Sequence, residues 1–367
     1  MTATRFQAQS PLSSRTRRRR QLFQRAMQAL EQWSYAEIEV PLLAPYAELR
    51  DALGEERSSD LFRFPGRAGE LLVLRGDITP LIAWQYANHL KQQALPTRVA
   101  YARRIARIEQ EFARERSESY QLGAELIGRG GLAGDAELLV VLMDLLNRLG
   151  LEDAELRIGH VGIAGTIVDG VSNDEHVREQ LYAAVRRRDR FAVDEITAAL
   201  TIDDGSRSSL RRLCAIVPDF YDLERLAQRH GGAVAAAVGE LLQLLDVLEE
   251  LGYRDRVILD LSRRDDRGYY TGITFSVVAE NADALLGGGG RYDALLGHFG
   301  CNLPAVGFGL NVERIVELLE SKMDPVPEPL APTAVGGERV VDALRDAMSL
   351  REQGQRVRVD GNTTTEG

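Results

Sequence analysis

Apolar residues return at helical spacing at Leu22, Ala26, Ala29, Leu30 and Trp33, which predicts a helix with one buried face. Ser13 or Ser14 stands where its N-cap belongs. Residues 36–42 read as a strand, and Pro41 within it cannot donate to a ladder, so this strand is expected at a sheet edge or an interface. An apolar strand over 71–74 precedes a helix over 80–90 that carries Pro80 in its first turn. Over 135–149 the stripe Leu138, Val141, Leu142, Leu145 and Leu149 predicts a strong amphipathic helix stopped by Gly150. Residues 155–161 follow as a strand.

From 167 to 254 the pattern turns helical, with Leu181, Val185, Ile196, Leu200, Leu210 and an apolar run over 238–251 closed by Gly252. Strand signals return over 257–261, in the alternation Ile273, Phe275, Val277, and over 305–310, ahead of a helix over 311–319. The expected architecture is therefore α+β: a mostly antiparallel sheet flanked by helices and interrupted by a helical insertion. Pro325, Pro327, Pro329 and Pro332 mark a stiff linker. The expected division is a core of 1–325 and a linker with a short C-terminal α/β piece over 326–367, which holds a helix over 340–352, a strand over 356–359 and a frayed tail. No internal repeat is visible.

Composition narrows the class. With 45 basic and 55 acidic side chains the 367-residue chain carries a net charge of −10, and 44% apolar with 27% charged residues is the profile of a soluble globular protein. The most apolar stretch, 233–251, contains Glu240, Asp246, Glu249 and Glu250, which excludes a membrane span. Two cysteines, Cys214 and Cys301, exclude a disulfide framework and a cysteine-rich metal site, so neither metal nor cofactor is expected and the location is cytoplasmic. Net acidity argues against a protein whose main task is gripping a phosphate backbone. The cluster Arg15, Arg17, Arg18, Arg19, Arg20 fits a transit peptide, a nucleic-acid-binding arm or a solvated helix entry. It runs straight into the first predicted helix, which favours the helix entry.

Four segments carry candidate chemistry. In Leu74-Arg75-Gly76-Asp77-Ile78-Thr79-Pro80, a strand end runs into a helix start; Asp77 and Thr79 there suit an ammonium group, although Thr79 equally suits a simple cap. Arg107-Ile108-Glu109 precedes Gln121-Leu122-Gly123-Ala124-Glu125, in which Gln121 and Glu125 share a face in either a helix or a strand, pointing into one cavity or into solvent. Arg267-Gly268-Tyr269-Tyr270-Thr271-Gly272 is followed by Gly287-Gly288-Gly289-Gly290-Arg291-Tyr292-Asp293, whose glycines permit close approach to a ligand or another strand but lack the lysine of a phosphate loop. The last runs from Pro304 through Gly307-Phe308-Gly309 to Glu313-Arg314; Arg314 suits a phosphate or a salt bridge with Glu317.

In this order the four segments resemble the class II aminoacyl-tRNA synthetase fold, and within it histidyl-tRNA synthetase, over about residues 15–320. The resemblance implies that Asp77, Thr79, Gln121, Glu125, Tyr269 and Tyr270 surround a bound histidine, and that Arg107, Glu109 and Arg314 occupy positions that hold ATP in the synthetases.

Three departures separate the chain from a working synthetase. Where the synthetases read Arg-Gly-Leu-Asp-Tyr-Tyr, ungapped alignment on Tyr269 puts Asp265 at the activating arginine, and an acid there repels phosphates. Arg263 and Arg264 are near enough in sequence for a local slip to restore the charge. Gln110-Glu111-Phe112 replaces the family's Arg-Pro-Gln, and the tail after Pro332 is short for an anticodon-binding domain. These departures, with Leu-Arg-Gly-Asp-Ile-Thr-Pro, resemble the ATP phosphoribosyltransferase regulatory subunits. That resemblance implies a noncatalytic subunit of histidine biosynthesis that joins a short-form catalytic subunit in a hetero-octamer of four plus four. It also implies L-histidine as inhibitory effector, a self-dimer through residues 22–42, and no tRNA binding. A catalytically active histidyl-tRNA synthetase and a stand-alone histidine sensor are the alternatives.

Overall fold

The computed structural model describes residues 14–108, 117–215, 220–262, 269–279, 284–322, 333–335, 340–355 and 357–359. They fall into two compact units, one spanning Arg15–Ser321 and the other holding the described residues from Lys322 onward.

In chain order the first unit begins with α1 (Ser14–Gln32), β1 (Ala36–Glu37), β2 (Leu43–Pro45), α2 (Tyr46–Ser59), β3 (Arg63–Pro65) and β4 (Leu71–Leu74). It continues with α3 (Thr79–Gln85), which runs on as a π-helical turn over Tyr86–Leu90, then β5 (Thr97–Ala106), β6 (Glu118–Ile127), α4 (Gly131–Arg148) and β7 (Ala154–His160). The insertion comprises α5 (Val161–Asp169), α6 (Glu175–Arg186), α7 (Arg190–Ala198), α8 (Asp204–Leu213), α9 (Phe220–His230) and α10 (Gly232–Glu250). β8 (Val257–Leu259), β9 (Ile273–Ala279), β10 (Ala284–Arg291), β11 (Ala305–Asn311) and α11 (Val312–Lys322) close it. The second unit contains β12 (Thr333–Val335), α12 (Val340–Glu352) and β13 (Val357–Val359), with β12 and β13 paired in parallel.

The insertion helices start where short acids can satisfy free amides. Asp174, Asp189 and Asp203 accept from the backbone N–H groups of His176, Ala192 and Ser206 at the heads of α6, α7 and α8.

The main sheet has eight strands in the order β1-β5-β6-β11-β10-β9-β7-β8. It is antiparallel except at its two ends, where β1 pairs with β5 and β7 with β8 in parallel. Parallel neighbours need a long crossover: α2 and α3 lie between β1 and β5, and the helical insertion between β7 and β8. A smaller sheet, β2-β4-β3, lies within the first crossover.

Each face of the main sheet has its own core. Leu122, Ala124 and Leu126 of β6 and Val306, Phe308 and Leu310 of β11 join α1, α4 and the insertion in one cluster. Val99, Tyr101 and Ile127 join Leu49 and Leu53 of α2, Leu81 and Ile82 of α3, Tyr269 and Tyr292 in the other. The candidate site residues Asp77, Thr79, Gln121, Glu125, Tyr269 and Tyr270 sit on this second face.

Several sequence expectations change in detail. The strand expected over 36–42 is only the pair Ala36–Glu37, at the sheet edge, with Pro41 beyond it. Trp33 is more than one-third exposed, its indole N–H donating to Asp144 at 2.9 Å rather than packing in the α1 stripe. The arginine run does belong to α1: Arg15 pairs with Glu317 of α11, and Arg18 donates to the Leu319 carbonyl at 3.2 Å. The proline-rich stretch 324–332 and the tail 361–367 lie outside the described residues.

Candidate functional site

β6 positions the site by alternation. Because successive side chains point to opposite faces, Gln121, Gly123 and Glu125 share the α3 side while Leu122, Ala124 and Leu126 enter the opposite core. The neighbouring strands make room for them. Gly307 of β11 stands opposite Glu125 in register, and a Cβ there would lie 1.5 Å from the Glu125 carboxylate. A Cβ on Gly309 would lie 2.1 Å from Gln121 Nε2, and one on Gly123 would lie 2.4 Å from the Tyr101 hydroxyl, opposite in β5. The glycines of these strands are thus the clearance for polar side chains lying across them.

Glu125 is fully buried and its carboxylate is ringed by hydroxyls. Thr79 Oγ1 donates to Oε1 at 2.7 Å, Tyr101 to the same oxygen at 3.3 Å, and Tyr292 to Oε2 at 2.5 Å. Burial pushes the carboxyl up to about 7; the hydroxyl donors from Tyr292, Thr79 and Tyr101 oppose this, and the nearby charge of Asp77 adds to it. Asp77 is itself buried, accepts from the Tyr269 hydroxyl at 3.4 Å and lies 4.0 Å from the Arg107 guanidinium. Arg107 Nε also donates to the Gly76 carbonyl at 2.5 Å. The Tyr269 ring meets Tyr270 and Tyr292 edge-on, with centroids 5.1 and 6.0 Å away.

These groups border a pocket of ≈ 210 Å³ lined by Thr79, Gln121, Tyr269, Tyr270 and Tyr292, with the backbones of β10 and β11 as its floor. Two features define its chemistry. Two buried carboxyls face one region, so a cationic group there is stabilised. Gln121 donates through Nε2 to the Tyr101 hydroxyl at 3.3 Å, whereas its buried Oε1 has no hydrogen-bond partner among the described residues. A buried acceptor left unsatisfied is costly, and a ligand N–H would satisfy it. Among the described residues no group of acids, histidines and cysteines is disposed to hold a metal ion.

Thr79, Gln121, Tyr269 and Tyr270 therefore line one cavity, with Glu125 and Asp77 behind them and Arg107 beside Asp77. Thr79 does not cap α3: the residue at the cap position is Ile78, with no side-chain cap bond. Arg314 is not in the pocket wall; its guanidinium donates to the Leu285 carbonyl and its N–H to Asn311 Oδ1. Glu317, offered above as its partner, pairs with Arg15. Glu109 and Asp265 lie outside the described residues. Sequence reasoning missed Tyr101, Tyr292, Gly307 and Gly309 as parts of the site. Tyr292 and the two glycines stood in quoted motifs without a role. Tyr101 lay in a strand that no alternation announced.

A family model for histidyl-tRNA synthetase matches residues 8–315. An ATP phosphoribosyltransferase regulatory subunit of Moorella thermoacetica is 33% identical over 94% of this chain and 88% of its own length. The chain belongs to the family of ATP phosphoribosyltransferase regulatory subunits, built on the histidyl-tRNA synthetase fold. A crystal structure described as an ATP phosphoribosyltransferase regulatory subunit/histidyl-tRNA synthetase from Bacillus halodurans C superposes with a TM-score of 0.84 at 26% identity, covering 100% of this chain and 94% of that one. Histidyl-tRNA synthetase from Nostoc sp. PCC 7120, at 18% identity and TM-score 0.74 over 99% of this chain and 88% of its own, shares the fold. The α+β, class II synthetase-like architecture expected from the motifs is thereby shown.

Proposed function

We propose that this chain is the noncatalytic regulatory subunit of an ATP phosphoribosyltransferase, acting at the first step of L-histidine biosynthesis, and that its pocket binds L-histidine as the feedback signal. The observation that carries the reading is the chemistry of the pocket: walled by Thr79, Gln121, Tyr269 and Tyr270, backed by the carboxyls of Asp77 and Glu125, and holding the unsatisfied Gln121 Oε1. The acids suit the ligand's ammonium and imidazole, and Gln121 accepts from one of its N–H groups.

The absence of aminoacylation is part of the proposal. Its support is Asp265, which stands in sequence where the synthetases carry an activating arginine. Arg107, Glu109 and Arg314 are then remnants of an ATP site, and tRNA is not a ligand. By family resemblance the chain works in the cytoplasm, dimerises through its synthetase-like core and assembles four plus four with a short-form catalytic subunit. Among the described residues no helix is long and apolar enough to cross a membrane.

The test is reconstitution. The purified chain is mixed with a short-form catalytic subunit and phosphoribosyl-ATP formation is followed with and without L-histidine. Activity should depend on this chain and fall with histidine, a coupling of about 1.4 kcal/mol sufficing for tenfold inhibition. Glu125→Ala should assemble normally yet resist inhibition. Catalysis indifferent to this chain sinks the regulatory role, and ATP–pyrophosphate exchange dependent on histidine would restore the synthetase alternative.

A further inference from the structure

Tyr292 reaches the pocket, whereas the residues on either side of it do not line the wall and are held by bonds of their own. Arg291 ends β10 opposite Val306 of β11, so its side chain leaves the sheet on the α4 face while that of Tyr292 leaves on the pocket face. Arg291 is buried, and its guanidinium makes a two-pronged contact with the equally buried Asp135 of α4. Nη2 donates to Oδ1 at 2.6 Å and Nε to Oδ2 at 3.3 Å. Nη2 also donates to the Gly131 carbonyl at 2.9 Å, and Nη1 to Asp293 Oδ1 at 3.0 Å. Two glycines make room for this arm: a Cβ on Gly272 would lie 2.9 Å from Arg291 Cδ, and one on Gly134 would lie 3.2 Å from Nη2.

A buried ion pair is a weak source of stability, because desolvating the two charges offsets most of their attraction. What the Arg291–Asp135 pair supplies is direction. Asp293 carries the constraint onward: the oxygen that receives Nη1 also accepts from the Ala305 N–H at 3.0 Å, and the Asp293 N–H donates to Thr271 Oγ1 at 2.9 Å. The Arg291 carbonyl accepts from the Thr271 N–H at 2.8 Å, and the Tyr292 N–H donates to the Ala305 carbonyl at 2.8 Å. The backbone of Tyr292 is thus fixed from both flanks, to α4 through Arg291 and to the start of β11 through Asp293. Alternation along the extended chain then turns its hydroxyl onto Glu125 Oε2. Thr271, tied to both flanks, directly follows Tyr270.

We infer that Arg291 is a positioning residue of the pocket: anchored on Asp135 and bridged by Asp293, it sets the Tyr292 hydroxyl on the Glu125 carboxylate without itself lining the wall. Because Arg291, Asp135 and Asp293 all stand outside the pocket wall, their effect on a ligand runs through Tyr292 and the Thr271 turn. The consequence for L-histidine rests on the reading above; the positioning of Tyr292 on Glu125 does not.

The experiment uses the full chain. Arg291→Met with Asp135→Leu replaces the pair by apolar side chains without altering the net charge. Asp293→Ala cuts the bridge at a partly exposed side chain, and Tyr292→Phe removes the hydroxyl itself. The primary readout, without ligand, is the titration midpoint of the Glu125 carboxyl by carbon NMR; Asp77, the other charge beside it, is unaltered in every variant. Tyr292→Phe should raise the midpoint by about one pH unit, the worth of a hydrogen bond to a charged group. Arg291→Met/Asp135→Leu should raise it as far, Asp293→Ala part of the way, and adding Tyr292→Phe to the first should raise it no further. A midpoint equal to the parent's in both Arg291→Met/Asp135→Leu and Asp293→Ala overturns the inference, even if those variants melt earlier, and so does full additivity with Tyr292→Phe. Should the apolar pair fail to fold, Asp293→Ala decides by the same criterion. The second readout is L-histidine affinity by calorimetry, expected to fall about tenfold in Tyr292→Phe and in Arg291→Met/Asp135→Leu alike, and no further in their combination. If the parent chain binds no histidine while the midpoint responds, the ligand assignment fails and the positioning stands. If histidine binds equally to parent and variants and the midpoint is unmoved, the positioning fails and the ligand assignment stands.

Discussion

The two faces of β6 are made of adjacent residues and follow different physics. On one, Leu122, Ala124 and Leu126 are completely buried among apolar neighbours, where tight packing is all that is asked. On the other, Gln121, Gly123 and Glu125 are almost as buried, but each needs a specific partner: a hydroxyl, a glycine on the next strand, or a ligand. The first face holds the sheet together. The second carries a carboxyl whose ionised form is disfavoured by its surroundings, a tension that the proposed cationic ligand would relieve.

Substitutions can break the comparison. The largest effect is expected on the apolar face: Leu126→Ala should cost about 2–5 kcal/mol in denaturant unfolding and leave the ligand affinity of the folded fraction unaltered. On the polar face, stability and binding should move in opposite directions. The Glu125 carboxyl titrates at about 7 in the folded chain against its ordinary 4.5, so the folded chain retains a proton that the unfolded chain has lost between these values. Stability contributed by this group is therefore complete below 4.5, declines as pH rises through the window and levels off above about 7. Glu125→Gln removes the decline, and melting curves should show the variant gaining on the parent by up to about 3 kcal/mol as pH is raised from 4.5 to 7. No gain would mean that the hydroxyl ring fully compensates the buried charge.

Binding should show the reverse. Glu125→Gln should weaken L-histidine by roughly 10- to 100-fold, the worth of a charge-assisted hydrogen bond, by calorimetry. In the parent chain a cationic ligand favours the ionised carboxyl, so binding near neutral pH should release protons, detectable as a dependence of the calorimetric heat on buffer ionisation. The smallest effect is expected for Tyr101→Phe, which removes one of three hydroxyls on Glu125 and the Gln121 Nε2 acceptor; about 0.5–1.5 kcal/mol should be lost, measured as unfolding free energy.

How far the site was legible follows the same division. The helices of 135–149 and of the insertion, and the strands around 71–74, 155–161, 273–277 and 305–310, announced themselves because burying one face imposes a period that neighbours in sequence display. β10 did not, since a run of glycines has no faces to alternate, and β5 did not, because Arg98, Arg103 and Arg104 interrupt its pattern. Within the site, Asp77, Thr79, Gln121, Glu125 and the paired tyrosines were found through motif resemblance. Tyr101 stood in no motif and was invisible.

The sequence by itself determined the strongly periodic helices and strands, that a helical insertion interrupts the sheet, though it starts at Val161 rather than 167, and which polar residues deserved scrutiny. All of these rest on composition or on spacing within one element. Tertiary structure alone decided between the paired alternatives: that Gln121 lines a cavity with Glu125 buried behind it rather than facing solvent, that Thr79 serves Glu125 rather than capping a helix, and that Glu317 belongs to Arg15 rather than Arg314. The physical reason is distance along the chain. Thr79 and Glu125 are 46 residues apart, Glu125 and Tyr292 are 167, and Tyr101 and the Phe308 carbonyl it reaches are 207. Periodicity within an element carries no information about which strand lies beside it, and the pocket is made entirely of such neighbours.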